Sequence, residues 1–420
     1  NPDNHSIAAF DADGLHMLYE IPVGDKPSAV TGDSVGQIWV SCRANDNLWI
    51  INAQTGVVID SVSLGYGADP VSVVAAPDGQ TVYVAEYGSG RLIRIHAASR
   101  TITGQLDIGT TPFALAIRAD GSELLATRFI SENNQGSIQQ VNLNTWSLSG
   151  PVAMPLDAST IDSEVAGRGL PNYVFGLGIH PAINEAWYAA QKVNILRGQH
   201  LEGTDLSFEM MVRSLISPID LATGQEQVHD RIDVDNHGMA GGITYSPFGN
   251  HLLVTMPLNN TLMVVDPFRR QATLEIPVGL MPTGLAIDPV SLRAFVKNEN
   301  GRSLTVLDVA PLIAKGTGGI DSVTTLSTVS SEQMAPDLLL GKQVFYNAAD
   351  GRMGLDGYIS CGSCHFNGGS DGQIWDFTQA GEGLRNTTTL QGGAASQGRL
   401  HWTGNFDELQ DFEGNMRTLF

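Results

Sequence analysis

A repeat of about 42 residues constrains the fold more than any other feature of this chain. Four segments share an apolar strand end, a glycine turn and a proline, namely Pro27, Pro70, Pro112 and Pro282. The first three prolines are 43 and 42 residues apart, and in a fifth copy Ala240 stands 42 residues before Pro282. A fixed period of this length is typical of architectures in which each repeat stacks on its neighbours.

Each repeat contains four short strands. In the second copy, a strand after Pro70 is followed by an Asp78-Gly79 turn and by predicted strands at Gln80–Ala85, Arg91–Ile95 and Thr101–Leu106. Four strands in about 40 residues are the signature of a β-propeller blade. The 47 glycines and the low charged fraction of 16% suit such a turn-rich β structure. The pattern resembles the YVTN-type propeller repeat, and we assign residues 1–329 to it.

The starts of the repeats give the number of blades. Two further strands, His5–Phe10 and His16–Ile21, precede the first blade and make only the outer half of another one. A half blade leaves unpaired strand edges, which proteins avoid. We therefore predict a seven-bladed propeller whose missing strands lie before Asn1 or after Phe420, with a closed six-bladed ring as the alternative. The six predicted blades begin near residues 27, 70, 112, 173, 240 and 282.

The fourth blade departs from the period. Its first strand is predicted at Tyr173–Ile179, and the long spacing on both sides indicates insertions near residues 155–172 and 192–212. Insertions in a propeller lie on one face and often carry function. Decorative loops are the alternative interpretation.

A second domain follows the propeller after a predicted linker at 330–339. Residues 340–420 contain the motif Cys361-Gly362-Ser363-Cys364-His365. In such a motif two thiols add to the vinyl groups of a haem, and the adjacent histidine ligates the iron. A zinc site would need further ligands, and the third cysteine of the chain, Cys42, sits in a strand-like run that predicts a buried structural thiol. We therefore predict one haem c.

Further motifs follow in order around the haem motif: Leu340-Gly341-Lys342, Arg385-Asn386 and His401-Trp402-Thr403-Gly404. Over residues 340–420 the chain resembles the first haem domain of the di-haem cytochrome c peroxidase/MauG family, a small α-helical cytochrome c fold. That family has two CxxCH motifs, whereas this sequence has one. The haem domain of the family also usually continues well past the Trp-Gly element, whereas 18 residues follow Trp402 here. We therefore expect residues 340–420 to be an incomplete cytochrome c domain. A family histidine expected some 15–20 residues after the proximal ligand is absent, which favours an open or differently ligated iron.

The resemblance assigns roles to individual residues. It implies that Cys361 and Cys364 are the thioether anchors and that His365 is the proximal iron ligand. It places Trp402 at the tryptophan between the two haems of the family. It also places Arg385 and Asn386 near the haem and near a calcium ion that lies between the haems.

The remaining candidate residues concern the side of the iron opposite to His365 and the edge of the haem. His401 and Met416 are the candidate sixth ligands, although His401 can equally bond a haem propionate or pack on Trp402. A Met ligand suits electron transfer, whereas an open site permits peroxide chemistry. Gln410 and Glu413 can line a distal pocket as catalytic groups with Trp402, or they can belong to a solvated helix face. Trp375 is expected to pack on the haem edge.

Charge and composition narrow the environment. The net charge of −21 argues against nucleic-acid binding, and no run of about 18 apolar residues predicts a membrane span. The N-terminal residues carry no signal-peptide pattern, and a signal can already have been removed. With the haem motif, these features predict a bacterial protein of the periplasm or cell surface.

Three classes of function remain open. The first is an electron-transfer protein with one haem, whose propeller serves as the docking scaffold for a redox partner protein. The second is a peroxidase or MauG-like oxidase that needs a second haem, supplied with the missing strands by a further polypeptide or segment. The third is a propeller-based dehydrogenase or a binding module, although no cofactor-gripping residues are evident in the sequence. The spin state of the haem distinguishes the first two classes.

Overall fold

The structure is a computed structural model that describes residues 1–391 except residues 133, 317 and 355. Within these residues the chain is mainly β and forms a β-propeller with six blades. The first strands of successive blades lie side by side from the first blade to the sixth. An N-terminal hairpin precedes the blades and consists of β1 (Ser6–Asp11) and β2 (His16–Pro22), which pair antiparallel.

The first three blades are four-stranded antiparallel meanders in which each strand pairs with the next one along the chain. They contain β3 (Pro27–Gly32), β4 (Gln37–Cys42), β5 (Asn47–Asn52) and β6 (Val58–Ser63); β7 (Pro70–Ala75), β8 (Thr81–Glu86), β9 (Arg91–His96) and β10 (Thr101–Asp107); and β11 (Pro112–Ile117), β12 (Glu123–Arg128), β13 (Gln135–Asn142) and β14 (Ser147–Pro155).

The fourth blade is irregular. Its strands are β15 (Leu170–Ile179), β16 (Glu185–Val193) and β17 (Val212–Asp220), and its outer edge is divided between β18 (Gln225–Glu226) and β19 (Ile232–Val234). The segment between β16 and β17 carries the one-turn helices α1 (Gln199–Glu202) and α2 (Phe208–Met211). Both insertions lie where the sequence predicts them, and the first strand begins three residues before the predicted Tyr173.

The last two blades return to the regular pattern. They contain β20 (Ile243–Tyr245), β21 (Leu252–Met256), β22 (Thr261–Asp266) and β23 (Gln271–Pro277); and β24 (Pro282–Ile287), β25 (Arg293–Asn298), β26 (Ser303–Asp308) and β27 (Asp321–Ser327), with α3 (Ala310–Lys315) before the last strand.

The chain then leaves the ring. It forms α4 (Pro336–Phe345), the single turn α5 (Cys361–Cys364) and a small hairpin of β28 (Ile374–Phe377) and β29 (Gly383–Asn386). Short 3-10 turns occur at Pro2–Asn4, Arg43–Asn45, Val228–Asp230, Phe366–Gly368 and Thr378–Ala380. Helix α4 begins at Pro336, inside the predicted linker 330–339.

A left-handed turn explains why the repeat is visible as a proline. The residue before the first-strand proline has a positive φ in four blades, although none of these residues is glycine. The recurrence of this sparsely populated conformation shows that the fold requires a sharp reversal before each first strand. The residues are Lys26 (φ 54°), Asp69 (47°), Thr111 (52°) and Met281 (55°).

Alternating apolar side chains join neighbouring blades face to face. Trp39 and Ile50 of the first blade, for example, pack against Val73 and Val84 of the second. Full burial of one such side chain stabilises the fold by about 1.5–3 kcal/mol. Cys42 belongs to this interior as predicted: it is 0% exposed, and burial raises the pKa of its thiol to about 12.

The N-terminal hairpin fills part of the space between the sixth and first blades. Ile7 and Ile21 pack on the first blade, while the backbone N–H of Ser330 donates to Glu20 over 2.6 Å. In the six-bladed alternative, β1 and β2 form a hairpin outside the blades. In the seven-bladed prediction, the same two strands are the outer half of a further blade. The described residues hold six complete blades, so the seventh blade stays a prediction.

The described part of the predicted cytochrome domain, residues 340–391, shares its core with the propeller. Tyr346 and Phe366 are buried in one cluster with Tyr173 and Leu258 of the ring. Trp375 is buried in a second cluster that includes propeller strands β15 and β16. This segment therefore docks on the propeller rather than forming a separate core.

Candidate haem-attachment site

The two cysteines of the motif lie on the single turn α5. Ser360 precedes this turn, and its backbone N–H donates to the hydroxyl oxygen of Ser363 over 3.0 Å. Residues three apart in a helical turn face the same side, so Cys361 and Cys364 are placed to bind one ligand together. The N–H of the following residue, His365, donates to the carbonyl of Cys361 over 3.0 Å and continues the turn.

The imidazole of His365 is oriented through one of its two nitrogens. Its Nδ1 lies 3.1 Å from the carbonyl oxygen of Gly369. A carbonyl only accepts hydrogen bonds, so this contact places the proton on Nδ1 and leaves Nε2 as the metal-binding nitrogen. Histidines that ligate metals are usually oriented in this way. The donor set of the motif therefore fits a haem c.

A buried carboxyl group lies beside the motif. Asp371 is 0% exposed and accepts hydrogen bonds from Nε1 of Trp375 and from the N–H of Gln373, each over 2.9 Å. Burial raises the pKa of Asp371. Burial also raises the pKa of the Cys364 thiol, and the charge of Asp371 raises it further. The unattached Cys364 is therefore a protonated thiol.

Trp375 and the motif share one hydrophobic cluster. The indole is 2% exposed, and Cys364 packs against the cluster that it forms with Leu170 and Ile359. The structure thus places Trp375 next to the attachment turn. Its predicted contact with the haem edge stays a prediction.

Arg385 and Asn386 lie on the strand that pairs with the strand of Trp375. Arg385 stands opposite Trp375, and Asn386 stands opposite Ile374. The guanidinium of Arg385 donates to Glu382 over 3.4 Å and to the Leu384 carbonyl over 2.9 Å. Its Nε is buried and has no hydrogen-bond partner among the described residues. The structure therefore places both residues on the strand next to that of Trp375, and Trp375 shares a hydrophobic cluster with Cys364.

The other candidates fall outside the described residues. These are the candidate sixth ligands and the candidate catalytic or distal groups, namely His401, Met416, Trp402, Gln410 and Glu413.

Blade four holds the motif through an irregularity in its first strand. The register of β15 shifts between Asn172 and Gly176, and Tyr173 has a φ of 46°. The hydroxyl of Tyr173 donates to the carbonyl of Cys364 over 2.8 Å. The amide of Asn172 donates to the carbonyl of Asp371 over 2.9 Å. Two neighbouring residues of the propeller thus fix both ends of the loop that follows the haem cysteines.

The second insertion of blade four holds the next part of the chain. Asp376 accepts the backbone N–H groups of His200 and Leu201 at the start of α1, over 2.7 and 3.0 Å. The side chain of Gln379 accepts from the N–H of Leu206 over 2.6 Å and donates to its carbonyl over 3.2 Å. The second insertion therefore helps to hold the C-terminal segment on the propeller.

An aromatic cluster seats the motif on the face of the ring. Phe366, which follows the haem-motif histidine, lies with its ring 5.6–6.0 Å from four others. Such pairs contribute about 0.5–1.5 kcal/mol each beyond their buried area. The four partners come from the third blade, the fourth blade and the end of α4: Phe129, Tyr173, Phe175 and Tyr346.

Asn172 and Tyr173 were not predicted as partners of the motif. Both contacts join residues nearly 200 positions apart in the chain, so no local pattern announces them. The one available signal was the break in the repeat at Tyr173, where the regular blades carry their proline.

The Tyr173 hydroxyl provides a first prediction. In Tyr173→Phe the buried Cys364 carbonyl loses its donor, so we expect the free energy of unfolding to fall by about 1 kcal/mol in urea titrations. Tyr19→Phe is the matched control, because the hydroxyl of Tyr19 donates to the Ala53 carbonyl over 3.0 Å in an exposed position. An equal loss in both variants would contradict a special role for Tyr173.

A second anchor lies between blades four and five. Tyr358, three residues before the first haem cysteine, hydrogen-bonds the carboxylate of Asp235. His237 follows in the same loop, and its Nε2 lies 2.7 Å from Glu275. Burial lowers the pKa of His237, but the hydrogen bond and charge of Glu275 more than offset this and raise it above 6.5.

The pair of His237 and Glu275 predicts that the stability of the protein depends on pH. A raised pKa in the folded state stabilises the protein below the unfolded value of 6.5, and this contribution is lost as the pH rises through the folded value. Wild type should therefore exceed His237→Gln in stability by about 1 kcal/mol more at about pH 5.5 than at about pH 8.5. Chemical denaturation at both pH values measures the difference, and a constant gap would refute the prediction.

Among the residues that the structure describes, no group of three or more His, Cys, Asp and Glu side chains is arranged to hold a metal ion. None of the helices in the described ranges is both long and apolar enough to cross a bilayer.

Comparisons with known proteins support the fold. No protein-family model and no curated protein matches the chain. Hydrazine synthase of Kuenenia stuttgartiensis is similar in structure, with a TM-score of 0.63 at 15% identity over 74% of this chain and 91% of that chain. A functionally unknown protein of Desulfotomaculum acetoxidans gives a TM-score of 0.47 at 13% identity over 68% of this chain and 78% of its own. The first similarity extends to the fold alone and supports a β-propeller.

Proposed function

We propose that this protein is a c-type cytochrome that transfers electrons through one haem bound to Cys361 and Cys364, with His365 as the iron ligand. The observation that carries the proposal is the geometry of the motif. Both cysteines share one turn, and the Gly369 carbonyl fixes Nδ1 of His365 and leaves Nε2 for the metal.

The surroundings of the motif support this function. When bound, the haem supplies a one-electron couple, and the protein supplies position, orientation and shielding. Asn172 and Tyr173 fix the attachment loop to a strand of the propeller, which is a rigid element. The buried, unpartnered Nε of Arg385 suits a group that binds an anion such as a haem propionate.

The proposal extends to the number of blades, the remaining ligands and the location of the protein. The ring has seven blades, and residues 340–420 belong to a cytochrome c domain of the peroxidase/MauG type. His401 or Met416 is the sixth ligand, and a calcium ion near Arg385 and Asn386 is a candidate second cofactor. The protein works in the periplasm or at the cell surface, and the propeller serves as the docking scaffold for a redox partner protein.

The alternative is a peroxidase or MauG-like oxidase. Its observation is the resemblance of residues 340–420, in which Trp402 takes the position of the tryptophan between two haems. This function needs a second haem, which a further polypeptide or segment would carry. A propeller-based dehydrogenase or binding module is the third candidate, and it predicts a function that survives removal of the haem cysteines.

A haem count with a spin-state measurement tests the proposal. The full chain is exported in a bacterium with a cytochrome c maturation system, and its intact mass and pyridine haemochrome spectrum are recorded. We expect one covalent haem for each chain and a low-spin, six-coordinate spectrum. A protein without a haem adduct would overturn the proposal, and a high-spin haem that reacts with peroxide would favour the oxidase.

A further inference from the structure

We propose that the space between the sixth and first blades binds a pair of antiparallel β-strands, with β1 as the hydrogen-bonding partner. The binding surface consists of the free edge of β1 and the flanking face of β3. The inference rests on the seven-bladed ring of the proposed function, which it deepens, and it does not depend on the haem.

The N-terminal hairpin has the structure of the outer half of a blade. The N–H of Val23 donates to the carbonyl of His5 over 2.8 Å, and His5 is a left-handed residue directly before β1. The same bond, from the residue after the fourth strand to the residue before the third, recurs in four complete blades at 2.9–3.0 Å. The equivalent pairs are Leu64 with Asp46, Ile108 with Gly90, Val278 with Asn260 and Thr328 with Arg302.

The inner edge of β1 has no partner strand among the described residues. In the first and second blades the third strand pairs on both sides, so that β5 bonds to β4 and β6, and β9 bonds to β8 and β10. β1, which takes the place of the third strand, pairs with β2 alone. The backbone groups on its other edge form a template for a further strand.

Val30 lies beside the space between the sixth and first blades and is exposed, whereas the equivalent valine of the second blade is buried. Val30 of β3 pairs with Val40, just as Val73 of β7 pairs with Val84 in the next blade. Val73 is covered by the preceding blade and is 6% exposed, whereas Val30 is 59% exposed. No strand among the described residues covers Val30 in the way that the first blade covers Val73, so this apolar side chain is left for an additional pair of inner strands to cover.

The turn before β1 identifies the occupant. The 3-10 turn Pro2–Asn4 is followed by His5 at a φ of 50°, and the 3-10 turn Arg43–Asn45 is followed by Asp46 at a φ of 54°. The second of these turns joins β4 to β5. The first turn is thus the connection that a second strand of the same repeat uses to enter β1. The occupant is such a strand with its own first strand, apolar at alternate positions.

An extended chain tests the inference. A copy of residues 70–85, which contain the first strand of blade two and most of the second, is fused directly before Asn1, so that Asn1 takes the position of Glu86. We expect hydrogen exchange at the inner-edge amides of β1 to slow by at least about tenfold and the melting temperature to rise. The matched control carries the same 16 residues in scrambled order.

Further readouts separate specific pairing from general stabilisation. Val30→Lys should lower the melting temperature of the extended chain and leave that of the original chain nearly unchanged, because this side chain is covered only when the strands are present. Inner-edge amides that are already protected in the original chain would overturn the inference. Equal protection by the scrambled copy, or no change on extension, would also overturn it. The haem count of these proteins tests the proposed function separately.

Discussion

Replacing both Cys361 and Cys364 with alanine will abolish covalent haem attachment, whereas replacing Cys42 will leave it intact. In the proposed function, a haem would form thioether bonds to the two cysteines on the turn α5. Cys42 is 0% exposed in the packing between the N-terminal hairpin and the first blade and has no access to a cofactor. The measurement is the intact mass of protein from a strain with cytochrome c maturation, together with the pyridine haemochrome spectrum.

The comparison of the double variant with Cys42→Ala controls for effects on folding. Cys42→Ala removes a buried thiol and should lower stability somewhat while keeping the full haem content. The double variant should keep the far-ultraviolet circular dichroism of a β-rich protein, because the propeller hydrogen bond from Tyr173 goes to the backbone carbonyl of Cys364, which alanine keeps. Haem retained covalently by the double variant would contradict the assignment, and so would haem lost by Cys42→Ala.

The propeller was predictable because its turns repeat in the sequence. The left-handed residue before each first strand is followed by proline in four blades, so the period appears directly in the sequence. The start of the first strand of blade four was predicted three residues too late. This strand, β15, starts at Leu170 and has a register shift in place of the proline turn. The number of blades could not be settled by counting, since β1 and β2 fit either a redeployed hairpin or half a blade.

The site was predictable only where its chemistry is local. Cys361, Cys364 and His365 are adjacent, and their spacing carries the chemistry of haem attachment. The residues that hold them, Asn172 and Tyr173, come from a strand nearly 200 positions earlier. Such contacts depend on how the C-terminal segment docks on the ring, which no period or motif encodes. The insertions of blade four were located correctly, but their contact with Asp376 was visible only in three dimensions.

Replacing Lys192 with methionine will destabilise the protein by about 3–5 kcal/mol, because it leaves two largely buried carboxylates without their cation. Nζ of Lys192 lies 3.0 Å from Asp157 and 3.0 Å from Asp233, and the lysine side chain is 2% exposed. Burial raises the pKa of Asp157, but hydrogen bonds from Thr160 and the charge of Lys192 outweigh it and bring the pKa well below its ordinary value. Urea unfolding of both proteins measures the loss.

The matched control is Arg269→Met. Nε of Arg269 lies 3.6 Å from Asp266, but the arginine side chain is 75% exposed, so we expect a loss below about 1 kcal/mol. The depressed pKa of Asp157 stabilises wild type above the unfolded value of 3.8, and this contribution disappears as the pH falls through the folded value. The gap between wild type and Lys192→Met should therefore narrow in acid. Lys192 is the penultimate residue of β16, and the insertion that holds Asp376 follows this strand. A difference that stays large in acid would therefore place the loss of stability in the packing of that insertion.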